Sequence, residues 1–293
     1  MLILSESSFE HCPQGARSDL SFRWLGAAGI EMCADGTTLL IDPYLTRVPL
    51  WRFLIGRLRP VPARVEEHIR TCDFVLVTHA HFDHLLDVPV VARLTGSRVL
   101  GSSNTCVILA ACGVRPDMIT QIGVGDRLDL GPFEVEVFAA EHQRVPGFGP
   151  GPVAPGMEPP LRAWEYRMDD DFSFLLTVNG RRVLVDSGGI SPDMESVDIA
   201  FVQPHLGPDH VASVLKGVRP SVVIINHWDD FFRSLSCPLR PFFTHPGWSS
   251  FPLRRLDLSA FRCFVKQVAS ETRVLIPEIF HIYTLDALLG AEQ

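Results

Sequence analysis

The stretch Val75–His84, VLVTHAHFDH, decides the reading of this chain. Asp73–Thr78 reads as a short, continuously apolar strand of the buried type. It leads straight into His79, His81, Asp83 and His84. In an extended segment alternate residues share a face, so His79, His81 and Asp83 fall on one side. A turn after Asp83 brings His84 round beside them. Imidazole nitrogen and carboxylate oxygen suit zinc, and they also suit iron and manganese. The strand end therefore reads as a rigid mount for a metal loop.

Outward from this stretch, short strands are predicted upstream at Phe22–Trp24, Ile30–Met32 and Thr38–Ile41, broken by Gly26, Gly29 and the turn Asp35-Gly36. Downstream, Leu85–Leu94 reads as a helix stopped near Gly96. Arg98–Leu100 reads as a strand, and Thr105–Cys112 as a helix ending at Gly113. Phe133–Phe138 alternates apolar and acidic residues, the mark of a half-buried strand. Phe172–Val178 and Arg181–Val185 flank Asn179-Gly180, a strong hairpin signal. Val197–Val202, Ser221–Ile225 and Val274–Ile276 are further strands. Strands interleaved with helices predict one α/β domain over residues 1–293, with 1–20 as a lead-in and 228–293 as a C-terminal completion.

Composition narrows the function classes. The chain has 293 residues, 46% of them apolar, enough for a sizeable core. Its net charge of −8 gives no support for a nucleic-acid binder. An anionic substrate stays compatible, because a metal supplies local positive charge. Seven cysteines, an odd number with no CxxC pair, predict reduced thiols in a cytoplasmic protein. No signal peptide and no apolar run of membrane-spanning length is read. The expected partner is a small-molecule substrate, and self-association is left open.

Two segments fit no simple element. In 47–64, RVPLWRFLIGRLRPVPAR, Leu50, Trp51, Leu54, Ile55 and Leu58 recur at helical spacing, interleaved with five Arg and no acid. It reads as a helical hairpin packed on the sheet with Arg stems laid over apolar surface, as a substrate lid, or as a dimer contact. Membrane contact is the weakest alternative, given the short length. Residues 145–160 are dense in Gly and Pro, and read as a disordered insertion or an active-site wall.

THAHFDH resembles the signature of the metallo-β-lactamase-fold hydrolases. The remaining motifs of that superfamily follow in order: Asp42 in LLIDPYL, His142 in VFAAEH, Asp186 in VLVDSGG and His227 in VVIINHW. More locally, FRWLGAAGIEM with LLIDPYL resembles the branch containing ascorbate-6-phosphate lactonases and N-acylphosphatidylethanolamine phospholipases D. The resemblance implies a four-layer αββα sandwich of two mixed sheets. It implies two divalent metal ions, zinc first and manganese or iron next. His79, His81 and His142 would hold one, Asp83, His84 and His227 the other, with Asp186 bridging. Asp42 would order the HxHxDH loop by hydrogen bonding. The implied activity is metal-dependent hydrolysis of an ester, lactone or phosphoester by a metal-bridged hydroxide, with Asp83 orienting it. A lipid-directed phosphodiesterase or amidase is the alternative within that class, and a non-catalytic metal-binding sensor or scaffold the alternative outside it.

Substrate-side residues are read from position alone. His205, at a strand end in FVQPHLGPDH, is a proton donor or substrate ligand at the rim, or else a loop residue packed on the following helix. His210 suits a helix start and reads as structural. Trp228 either lines the pocket or belongs to the core, and Asp229-Asp230 either supports the site or is solvated. Ser187 reads as a turn residue with Gly188 and Gly189. His11, His68, His245 and His281 have no partners at useful spacing and read as structural or surface residues.

Overall fold

Alternation along the strands sorts apolar side chains onto two faces, and the tertiary structure follows from where each face goes. The structure, a computed structural model, describes residues 20–141, 150–154, 156–191, 194–243, 246–248 and 254–290. The N-terminal half contributes β1 (Ser21–Gly26), β2 (Gly29–Ala34), β3 (Thr37–Ile41), β4 (Phe74–Leu76), β5 (Arg98–Gly101) and β6 (Ile119–Gln121). The second half contributes β7 (Arg127–Leu130), β8 (Phe133–Ala139), β9 (Phe172–Val178), β10 (Arg181–Val185), β11 (Ile199–Val202), β12 (Val222–Ile225), β13 (Arg273–Leu275) and β14 (Ile282–Thr284). They form two seven-stranded sheets, ordered β14-β1-β2-β3-β4-β5-β6 and β13-β12-β11-β10-β9-β8-β7. Each sheet is mixed: β14-β1-β2-β3 and β7-β8-β9-β10 are antiparallel, and the remaining neighbours are parallel.

The period of two decides the layers. Leu39 and Ile41 of β3, Val183 and Val185 of β10, and Val222 and Ile224 of β12 meet between the sheets. Phe22 of β1 and Phe201 of β11 touch there edge to face, at 5.2 Å between ring centroids. The alternate residues point outward to helices. Leu40 and Val75 meet α2 (Pro62–His68), α3 (Phe82–Leu85), α4 (Val88–Thr95) and α5 (Ser103–Ala111) through Val65, Leu85, Val91 and Ile108. Leu184, Val223 and Ile225 meet α6 (Pro208–Val218) and α7 (Leu258–Val268) through Val211, Leu215, Phe261 and Val265. The result is helix, sheet, sheet, helix. The C-terminal segment adds an edge strand to each sheet and ends in α8 (Leu285–Leu289).

Turn chemistry sets the register. Asp35-Gly36 and Asn179-Gly180 each take two consecutive positive φ angles, the type I′ pattern that matches strand twist. Helix α7 is capped by Asp257, whose carboxylate accepts the amides of Ser259 and Ala260, both at 3.0 Å. Asp257→Ala is expected to lower unfolding stability by about 1 kcal/mol, read as a shifted urea midpoint at unchanged m-value.

Three sequence expectations change. The single helix 85–94 is two helices, α3 and α4, with Asp87 and Leu86 at the break. Asp87 is fully buried and accepts the amides of Leu45 at 2.6 Å and Thr46 at 2.7 Å, so its side chain anchors the chain leaving β3. Strands β6, β7 and β14 and helices α2, α7 and α8 were not anticipated, although α7 carries a local signal in its Asp257 cap and its amphipathic spacing. In 47–64 a helix forms, α1 (Leu50–Ile55), but it does not pack its apolar face on the sheet: none of its residues is buried. The described part of 145–160 is pinned on α5. There Asn104 donates to Gly151 O at 3.0 Å and accepts from Val153 N at 3.2 Å. The described cysteines, Cys33, Cys72, Cys106, Cys112, Cys237 and Cys263, are free thiols. Cys12 lies outside the described residues.

Candidate metal centre

Most of the described site residues follow the carboxyl ends of strands, in the loops or the short helix that leave them. Asp42 follows β3, His79–His84 follow β4, Asp186 follows β10, His205 follows β11 and His227 follows β12. Parallel neighbours send their ends the same way, so residues far apart in sequence converge. Asp42 and His227 take φ of 47° and 51°, left-handed turns that direct each chain abruptly out of its strand.

Asp83, His84 and His227 form the tightest group, each offering one ligand atom within 4.8 Å of the others. His227 Nε2 lies 3.4 Å and His84 Nε2 3.8 Å from Asp83 Oδ2. Tetrahedral zinc with bonds near 2.0–2.1 Å sets its ligand atoms about 3.4 Å apart. The donor set and its spacing fit a divalent ion. The rings of His79 and His81 lie beside this group, 4.7 Å from each other, with His79 3.9 Å from His84. His142, assigned with them by resemblance, lies outside the described residues, as do His11 and His245.

The imidazoles are held by their other nitrogen. His84 Nδ1 lies 2.7 Å from Asp42 Oδ2. Asp42 is fixed in turn by Thr78, whose amide donates at 2.8 Å and whose hydroxyl donates at 2.6 Å. His79 Nδ1 lies 3.2 Å from Asp171 Oδ1, and Ser187 Oγ donates to that same oxygen at 2.8 Å. Such contacts set the tautomer and turn Nε2 into the acceptor nitrogen.

Electrostatics follow the crowding. Burial raises the Asp83 carboxyl, but the neighbouring His84, His227 and His81 outweigh it and hold it well below the usual carboxylate range. Burial disfavours the His84 cation, yet Asp42 and then Asp83 push its pKa up to about 9. A metal binding this ring must therefore displace a proton. Burial holds Asp171 well above the usual range, against the hydrogen bond from Ser187.

Asp186 is fully buried; its Oδ1 accepts the Gly188 amide at 3.1 Å and its Oδ2 lies 2.8 Å from His210 Nε2. Burial lowers the His210 pKa and the Asp186 contact raises it, with a net rise. The loop 186–189 presses so closely on 139–141 that a Cβ on Gly189 would lie 2.0 Å from Ala139 O. The His205 ring stands 4.9 Å from His227, nearly perpendicular to it. Trp228 takes the packing alternative: it is 7% exposed and stacks on Trp24 at 5.3 Å.

Several residues escaped the sequence reading. His210 read as structural, and it contacts the Asp186 carboxylate from the first turn of α6. Ser187 is more than a turn residue, since its hydroxyl bonds Asp171. Asp171 itself ends the acidic run Asp169–Asp171 before β9, and only its burial distinguishes it from its neighbours. Arg47 and Asp229 form an ion pair at 2.9 Å with both side chains fully buried. Asp229 Oδ1 also accepts the Ala27 amide at 2.8 Å, and the His227 amide donates to Ala27 O at 2.9 Å. Gly26 makes room for this clamp: it has φ of 84°, and a Cβ there would lie 2.0 Å from an Arg47 guanidinium nitrogen. His68 stacks on Phe280 and His281 meets Tyr283 edge to face.

Comparison with known proteins concerns the family and the fold. Residues 37–156 match the family model described as beta-lactamase superfamily domain. A UPF0173 metal-dependent hydrolase of Symbiobacterium thermophilum is 31% identical over 217 residues, covering 72% of this chain and 85% of the relative. Among solved structures, Igni18, a metallo hydrolase from Ignicoccus hospitalis, superposes with a TM-score of 0.59 at 16% identity, covering 91% of this chain and 98% of its own. CmlA, a diiron β-hydroxylase from Streptomyces venezuelae, superposes with a TM-score of 0.55 at 16% identity, covering 90% of this chain and 54% of its own.

Proposed function

The chain belongs to the metallo-β-lactamase superfamily, and on that premise we propose that it is a metal-dependent hydrolase acting on an ester, lactone or phosphoester. The observation that carries this reading is the convergence of Asp83, His84 and His227, with Asp42 and Asp171 holding imidazoles by their far nitrogens. In this reading Asp83, His84 and His227 would hold one metal and His79, His81 and His142 the other, with Asp186 as the candidate shared ligand. A donor set of imidazoles and few carboxylates favours zinc, with iron or manganese as the alternatives.

A bound divalent ion supplies Lewis acidity and water activated near neutral pH. The chain's own residues do the rest. Asp83, kept ionised by three imidazoles, would hold an ion with His84 and His227 and orient the attacking water. His205, beside His227 at the rim, is the candidate donor to the leaving group. His210 fixes the Asp186 carboxylate and so the orientation of the group between the two sites. Serine or cysteine attack is not required.

Elemental analysis of protein purified without added metal is expected to give about two transition-metal ions per chain, and chelation should abolish hydrolysis of a generic ester or phosphodiester. Metal content near zero after supplementation would refute the reading. Asp42→Asn and Asp171→Asn are each expected to weaken metal binding by roughly 10–100-fold, measured by competition with a chromogenic chelator.

A further inference from the structure

Helix α1 turns its apolar face to the outside. Leu50, Trp51, Leu54 and Ile55 are 50%, 59%, 58% and 73% exposed. At 3.6 residues per turn they share an arc of about 140°. Phe53 points the other way and seats the helix, with its ring 5.3 Å from Phe82 and 5.0 Å from Phe232. Trp164 widens the apolar face: it is 44% exposed, and Arg162, which stands over its ring at 5.2 Å, reaches Ile55 O at 3.3 Å.

The rim of this face is cationic. Of the five Arg in residues 43–65, Arg47 is buried against Asp229 and Arg64 is half-buried on Thr46 O, which leaves Arg52, Arg57 and Arg59 around the face, with no acid in the segment, in a chain of net charge −8. Arg52 lies over the Trp51 ring at 5.1 Å, and Arg57 meets Glu165 only at 4.0 Å. Among the described residues nothing covers the four apolar side chains. A two-fold contact with a second copy would set this Arg-rich rim against itself. Exposed Trp and aliphatic side chains ringed by Arg match an anionic lipid surface, where tryptophan settles at headgroup level and guanidinium meets phosphate.

We propose that α1 is an interfacial anchor that inserts Leu50, Trp51, Leu54 and Ile55 into the headgroup region of an anionic lipid bilayer. No described helix is long and apolar enough to cross a membrane, so the contact is peripheral. Phe53 on Phe82 joins the anchor to the HxHxDH loop, which places the candidate metal centre one aromatic layer from the docked face. The proposal is independent of the hydrolase reading, because docking requires no metal.

The test is co-sedimentation of the full chain with vesicles of phosphatidylcholine plus phosphatidylglycerol, against pure phosphatidylcholine, with and without chelator. Binding to the anionic vesicles, weakened by salt and unaffected by chelation, is expected. Trp51→Ser with Leu54→Ser should reduce it by roughly tenfold or more. Arg52→Gln with Arg57→Gln should remove most of the preference for anionic vesicles. All four side chains are on or near the surface, and circular dichroism checks that each variant is folded. Wild type that fails to sediment with anionic vesicles overturns the proposal. So does a dimer, seen by sedimentation velocity without vesicle binding, that dissociates in the Trp51/Leu54 variant.

Discussion

Asp83→Asn is expected to remove the ion held by Asp83, His84 and His227 and to lower hydrolysis by more than the roughly 100-fold upper effect of an outer hydrogen-bond partner. The substitution keeps volume and shape, so the loop should remain folded. It removes the one anionic donor of the group, and with it the charge that His84, His227 and His81 surround. Metal analysis and kcat are both needed. Loss of about half the metal with loss of turnover supports the two-site assignment. Unchanged metal content and unchanged turnover would show that the measured activity arises elsewhere.

Arg47→Ala should destabilise the fold by about 3–5 kcal/mol, because Asp229 would remain buried without its counter-charge. Arg47 lies at 2.9 Å from Asp229, and both side chains are fully buried. None of the Arg47 nitrogens makes a well-aligned hydrogen bond, so attraction at short range, not hydrogen-bond geometry, holds the pair. The double variant Arg47→Met with Asp229→Asn should recover most of the loss. It leaves no lone charge, fills the guanidinium volume and keeps an acceptor for the Ala27 amide. Urea unfolding of the two variants measures this directly. A single variant as stable as wild type would mean that the pair is not what binds the turn at 26–29 to the His227 loop.

The candidate site was legible to the extent that it repeats one local device. Asp42, His79, Asp186 and His227 each follow a run of apolar, β-branched residues, and such a run announces a buried strand whatever the rest of the chain does. What supports those residues was not legible. Asp171 looks like its two acidic neighbours until burial selects it, and His210 looks like a helix-start residue until α6 is docked beside β10. Asp229 reads as half of an acidic pair in sequence, yet it pairs with an Arg 182 positions away. Local pattern carries no information about such distant partners.

Segment 47–64 shows the same limit from the other side. Helical spacing predicted a helix and an apolar face, and both exist, but periodicity does not say which way a face turns. Phe53 alone found a complementary surface in Phe82 and Phe232, and the other four apolar residues of the helix were left outside. Sequence by itself determined most of the strands, the two type I′ turns and the candidate metal-binding residues, because those follow from side-chain chemistry and short-range periodicity. Tertiary structure decided which carboxylates hold which imidazoles, where the buried ion pair closes and which face of α1 meets solvent, because those depend on long-range packing of two sheets whose strand ends point to the same edge.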